Sequence, residues 1–171
     1  MTKFIGYRCS LCGKEYSPGE ITYVCPKDGG NLDVIIDYKA IRTKYQPEDI
    51  LSRTDSSLWS FLPLLPVSEP PGESTPLHAA GGTPVFALPR LAKKLGLQNL
   101  WLKDESRNPS ASFKDRASAI VVARAQEIKA EIVVTASTGN AGAALACMSA
   151  AIGQKAIIFA PKTAPPAKVA Q

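Results

Sequence analysis

The 171 residues carry 20 Lys and Arg against 15 Asp and Glu, a net charge of +5. A 45% hydrophobic and 20% charged content can bury a core and excludes global disorder, and at ~150 residues per domain the length suits one domain or one and a part. No apolar run approaches the ~18 residues of a membrane helix, the start MTKFIGYRCSLCGK has no signal-peptide core, and four cysteines are too few for a disulfide scaffold; a cytoplasmic protein without a membrane partner is expected.

Residues 1–37 hold three of the four cysteines. YRCSLCGKEYS, ITYVCPKDGG and NLDVIID read as short strands joined by turns at Pro18-Gly19 and Gly29-Gly30. Residues 38–80 read as irregular. QPEDILSR starts a short helix with Pro47 in its first turn. Pro63, Pro66, Pro70, Pro71 and Pro76 then fix φ and remove donors, which predicts an extended connector and a boundary near Gly81.

Beyond Gly81, helices and strands alternate. LPRLAKKLG is a helix closed by Gly96, and NLWLKDE is a strand. FKDRASAIVVARAQEIKA is a helix, apolar almost all round at 117–123 and so expected to be buried on most sides. EIVVTAS is a strand, GNAGAALACMSAAIG a small-residue helix ending at Gly153, and QKAIIFAP a strand. TAPPAKVAQ begins another helix. This alternation predicts an α/β fold with an open parallel sheet. No internal repeat is visible.

Cys9 and Cys12 form C-x-x-C, and Cys25 follows after twelve intervening residues. Asp28 stands where a second C-x-x-C would place its fourth sulfur. Two such knuckles make a zinc ribbon, and three thiolates with one carboxylate can bind zinc; a ribbon that has lost its metal is the alternative. Cys147 lies in an apolar helix and reads as packing. His78, the only histidine, has no partners for a triad.

In S-F-K-D-R at 112–116, Lys114 begins the long helix after the polar loop NPSAS. The positive end of a helix and a neighbouring Phe113 disfavour an ammonium. An amine there can attack a carbonyl cofactor; the alternative is an ordinary solvated lysine. S-T-G-N at 137–140 leaves a strand and opens a helix. Ser137, Thr138 and Gly139 there make either an anion site or an N-cap. Lys103, Asp104 and Glu105 read as a solvated strand end. Positive charge is spread except at Lys93 and Lys94, and no aromatics interleave with it, so a nucleic-acid groove is not expected.

These segments together, with GGTPV at 81–85, WLKDESRNPSASFKDRAS at 101–118, ASTGNAGAALA at 136–146 and APPAKVAQ at 164–171, resemble the threonine synthase family. Its members are pyridoxal-phosphate enzymes of the tryptophan-synthase-β, or type II, fold. The resemblance implies a zinc-ribbon-like module at 1–37, a connector at 38–80 and the first part of a catalytic domain at 81–171. It implies that Lys114 carries pyridoxal phosphate and moves protons, and that Asn140 bonds the cofactor's phenolic oxygen. Ser137, Thr138 and Gly139 then hold the substrate carboxylate. Lys103 and the loop 108–112, with Ser110 and Ser112, meet the substrate phosphate. The implied reaction turns O-phosphohomoserine and water into threonine and phosphate, in a homo-oligomer. Cysteate synthases and threonine dehydratases share the fold, and Ala141 stands where some threonine synthases carry a hydroxyl residue. The family's glycine-rich phosphate cradle comes later in its chains, so these residues are expected to be an amino-terminal portion, inactive alone.

Overall fold

A computed structural model describes residues 4–21, 23–51, 55–70 and 74–170. It divides into two compact units: residues 1–54 with 60–69, and residues 55–59 with 70–171.

The first unit is built on β1 (Phe4–Cys9), β2 (Glu15–Tyr16) and β3 (Leu32–Ile36). They form an antiparallel sheet in the order β2-β1-β3. Gly6 has φ +155°, and a Cβ there would lie 2.3 Å from the Tyr16 carbonyl oxygen, so the β1–β2 approach requires glycine. Cys9, Tyr16 and Cys25 form a buried cluster under Ile21 and Leu32. The stretch ITYVCPKDGG forms no strand among its described residues. Its backbone is taken up by a tight turn instead, in which Cys25 bonds Gly30 and Gly29 bonds Cys25.

Helices occupy part of the irregular connector expected at 38–80, including the one expected at QPEDILSR. Helix α1 (Tyr38–Lys44) forms because Asp37 accepts the Ala40 N–H at 2.9 Å, and Arg42 and Lys44 sit in its last turn. Helix α2 (Pro47–Leu51) follows, with Gln46 N–H donating to Asp49 at 2.8 Å. Leu58–Leu64 is a 3-10 segment kinked at Phe61, with Pro63 inside it, rather than an extended connector. Pro63 stands at the second position of the turn that Leu65 N–H closes onto Leu62 O, where no internal donor is needed.

In the second unit, α3 (Pro76–Ala79) carries Leu77, which is fully buried and whose carbonyl accepts the Trp59 indole N–H at 2.7 Å. Strand β4 (Val85–Ala87) leads to α4 (Pro89–Lys94), with Pro at its start. Strand β5 (Trp101–Lys103) follows. Then come α5 (Lys114–Glu127), β6 (Ile132–Ala136), α6 (Asn140–Ala150), β7 (Lys155–Phe159) and α7 (Pro166–Ala170). β6 and β7 pair in parallel, Ile132 opposite Lys155. β5 does not join them: it pairs antiparallel with β4, Val85 opposite Lys103. The parallel sheet of this unit is therefore two strands among the described residues, not a continuous array.

Helices α5 and α6 pack together. Ala119, Val122, Ala144 and Met148 are fully buried, whereas Val121 is 48% exposed, so α5 is not buried all round. The three helix stops are alike. Leu97 N–H reaches back to Ala92 O past Gly96, Ala130 to Ala125 past Lys129, and Gln154 to Ser149 past Gly153. Gly96, Lys129 and Gly153 all have positive φ, the geometry of a left-handed helix stop.

Candidate functional site

In the first unit, two turns repeat one design. Gly13 N–H returns to Cys9 O at 3.0 Å, and Gly29 N–H to Cys25 O at 2.8 Å. Both glycines have φ near +70°, at +71° and +72°. The residue before each glycine, Cys12 or Asp28, is thereby aimed at the same point as Cys9 and Cys25. One ligand atom from each of Cys9, Cys12, Cys25 and Asp28 lies within 4.8 Å of the others.

The donor set fits a four-coordinate ion. Cys12 and Cys25 sulfurs are 3.8 Å apart, which matches the edge of a tetrahedron with Zn–S of about 2.3 Å. The Cys9 sulfur accepts N–H groups of Leu11 at 3.4 Å and Cys12 at 3.5 Å, which orients its lone pairs. Asp28 Oδ1 accepts the Gly30 N–H at 2.9 Å and the Cys9 thiol at 3.3 Å. Hydrogen bonding to Asp28 pushes the Cys12 thiol up to about 11. The Asp28 carboxyl is held well below its usual range, by Cys12 first and by the Gly30 N–H next. The Tyr16 hydroxyl, 3.0 Å from the Cys25 sulfur, is pushed up by that contact and by burial. Protons now shared among sulfur and carboxylate are what a divalent cation would replace.

The second unit organises its polar residues around Glu105. Arg116 grips it with two bonds, Nε to Oε2 at 2.8 Å and a terminal nitrogen to Oε1 at 2.7 Å. Thr83 donates to Glu105 at 2.9 Å, and Asn108 donates to it at 2.9 Å. Arg116 also reaches the Gly81 carbonyl at 3.0 Å, and Asn108 accepts the Gly81 N–H at 2.9 Å. The Arg116 guanidinium, chiefly, holds the Glu105 carboxyl down to about 2, against the opposing effect of burial. The solvated strand end expected at 103–105 is therefore corrected: Glu105 ties GGTPV to the start of α5. Lys103 is likewise engaged, donating to the Thr83 carbonyl at 2.8 Å.

Lys114 is the first residue of α5 and half-buried, with its amine 4.4 Å over the Phe113 ring. That amine makes no hydrogen bond or ion pair among the described residues. Ser112 is buried and its hydroxyl oxygen accepts the Lys114 N–H at 3.2 Å. Ser110 gives both its donors to Asp115, its N–H at 2.7 Å and its hydroxyl to the other carboxylate oxygen. Burial, and then the Asp115 charge, push up the Cys147 thiol on α6.

The second candidate loop caps α6. Ser137 oxygen accepts the Gly142 N–H at 2.9 Å and the Gly139 N–H at 3.3 Å, so its hydroxyl holds the loop together. Thr138 is exposed, and Asn140 is the exposed first residue of the helix. A cavity of about 200 Å³ is lined by the 137–139 loop with Gly142, Ala143, Ala146 and Ile158. Lys114 and Asn140 do not line it. The pairing of Glu105 with Arg116 and of Ser110 with Asp115 escaped sequence reading; the acidic and basic neighbours of S-F-K-D-R were the only signal.

A family model described as pyridoxal-phosphate dependent enzyme matches residues 77–171. A threonine synthase of Methanocaldococcus jannaschii is 42% identical over 156 residues, which cover 91% of this chain and 37% of that protein. One of Methanosarcina acetivorans is 40% identical over 154 residues, covering 90% of this chain and 36% of it. A cysteate synthase of Methanoregula boonei is 28% identical over 164 residues, 92% of this chain and 35% of its own length. The chain spans a little over a third of the length of these curated relatives.

Proposed function

The chain belongs to the pyridoxal-phosphate dependent enzyme family, and from that premise we propose that it is part of a threonine synthase, acting on O-phosphohomoserine and water. Similarity to two threonine synthases at 40% identity or more over at least 90% of the chain supports the substrate choice. The carrying observation in the structure is Lys114. Its amine stands at a helix start over an aromatic ring, with no acid or acceptor on it among the described residues. A free, half-buried amine is what a carbonyl cofactor needs.

When bound, pyridoxal phosphate supplies an electron sink. Lys114 would hold it and, once released, take and return protons through Nζ. The Asn140 amide would bond its phenolic oxygen. The Thr138 hydroxyl and the loop at 137–139 would receive the substrate carboxylate, with Ser137 keeping the loop in shape. Ser112 retains a hydroxyl proton for the leaving phosphate. Lys103 and Ser110 reach that phosphate only by giving up Thr83 and Asp115. The complete enzyme is proposed as a cytoplasmic homo-oligomer that uses no nucleic acid. No helix among the described residues is long and apolar enough to cross a membrane.

We also propose a zinc ion on Cys9, Cys12, Cys25 and Asp28, with a structural role. We propose that the ribbon occupies 1–37, followed by a connector at 38–80 and the catalytic domain from 81.

The full-length protein with pyridoxal phosphate should show a visible absorbance band that Lys114→Ala removes, and should release phosphate from O-phosphohomoserine. Turnover of phosphoserine alone would favour the cysteate synthase reading. A band that survives Lys114→Ala would overturn the role of Lys114.

A further inference from the structure

Asp115 sits beside Lys114 with none of its surface exposed. A buried carboxylate is costly unless its oxygens are satisfied. Here both are, and by one residue: Ser110 N–H donates to Oδ2 at 2.7 Å and the Ser110 hydroxyl donates to Oδ1. Among the described residues no cation pairs with it, because its neighbour Arg116 is spent on Glu105. The start of α5 supplies the remaining stabilisation, since backbone dipoles there favour negative charge.

This double contact closes a ring over Ala111. Ala111 has φ +56°, a left-handed conformation that alanine disfavours and glycine accepts. Its N–H returns to the Asn108 carbonyl at 2.8 Å, so the loop is pinned on both sides of the strained residue. The next residue, Ser112, holds the Lys114 N–H. The chain thus runs from an anchored turn, through one unfavourable residue, directly to the amine.

We propose that Asp115 is the positioning residue for Lys114: by taking both donors of Ser110 it holds Ala111 left-handed and fixes the direction in which the Lys114 amine leaves the helix. The inference rests on the proposed role of Lys114. It predicts that Ser110 is a clamp and that Ser112 is the hydroxyl left to meet an anion.

The full-length protein provides the test. Pyridoxal phosphate followed by borohydride leaves a stable pyridoxyl mark on reactive lysines, and peptide mass spectrometry reads each site. In the wild type, Lys114 should label well above Lys93 and Lys94. Asp115→Asn should lower labelling at Lys114 on the order of tenfold, as expected when a left-handed alanine loses its restraint. Labelling at Lys93 and Lys94 should not change. Adding Ala111→Gly to Asp115→Asn should restore much of it, because glycine needs no restraint. Ser110→Ala, which keeps the carboxylate, should show a smaller loss in the same direction and decides the matter if Asp115→Asn does not fold. Wild-type labelling of Lys114 in both Asp115→Asn and Ser110→Ala would overturn the positioning role alone. Lys114 labelling no faster than Lys93 in the wild type would overturn the reading of Lys114, and this inference with it.

Discussion

Glu105→Gln isolates the ion pair at the centre of the second unit. The substitution keeps shape and removes charge. Glu105 ordinarily ionises near 4.5 and here near 2, with side chains 26% exposed for Glu105 and 30% for Arg116. Such a difference corresponds to roughly 3 kcal/mol of folding free energy at neutral pH; partial exposure trims it to about 2 kcal/mol. The folded carboxyl ionises more readily than the unfolded one, so this stability is fully present above about pH 4.5 and is lost as pH falls toward 2. Thermal unfolding of wild type and variant should therefore differ by roughly 4–8 °C at neutral pH, at about 2–4 °C per kcal/mol for a chain of this size. Most of that gap should close near about pH 2.5 as the wild type descends. Equal melting at neutral pH, or a gap that stays constant down to the acid end, would refute the reasoning.

Three further substitutions probe other contacts. Gly30→Ala would put a Cβ 2.5 Å from the Cys9 sulfur and 3.0 Å from Asp28 Oδ1. Zinc affinity, read by competition with a chelator, should fall at least about tenfold, the scale of losing a supporting contact. Gly142→Ala gains roughly 0.5–1 kcal/mol of helix preference, but its Cβ would meet Ile158 at 3.1 Å and Ser137 at 3.3 Å. Melting should barely move, while amide exchange at Gly139 should quicken as the Ser137 cap is pushed off. Met148→Ala empties a fully buried site on α6, and the urea midpoint should drop by an amount equivalent to about 2–5 kcal/mol with the slope unchanged.

What could be read in advance was local. The stops at Gly96 and Gly153 are written in residue type, because only glycine takes that φ freely. Lys129 makes the same stop without the type, so nothing in the sequence marked it. The helix after Asp37 was hidden behind a proline-rich average over 38–80, although an aspartate before a periodic run is itself a start signal. Strand β5 was legible as a strand, but its antiparallel partner β4 is three residues long and too short to show a period. At the candidate site, the residue types proposed to carry chemistry stand out as motifs. The contacts that aim them do not, because Glu105 meets Arg116 across 11 positions and Arg116 meets Gly81 across 35.

Those contacts also sort the motif residues into two groups. Lys103, Glu105, Asn108, Ser110, Asp115 and Arg116 have their polar atoms committed within the chain, and Ser137 is committed to the α6 cap. A committed group is expensive to free, since its partner is left unsatisfied. Lys114 and Thr138 make no side-chain hydrogen bond among the described residues, and Ser112 uses only an acceptor lone pair. A ligand at this site gains most from donors that cost nothing to redirect. The chemistry should therefore fall to these three, with the committed groups supplying the rigidity that keeps them in place. On this argument Ser110→Ala acts by loosening a clamp, and Ser112→Ala acts by removing a contact. In the full-length protein, if the proposed substrate is right, the first should lower its kcat with KM little changed, and the second should raise its KM. The reverse pattern would mean that Ser110 turns toward the ligand and leaves Asp115 unpaired.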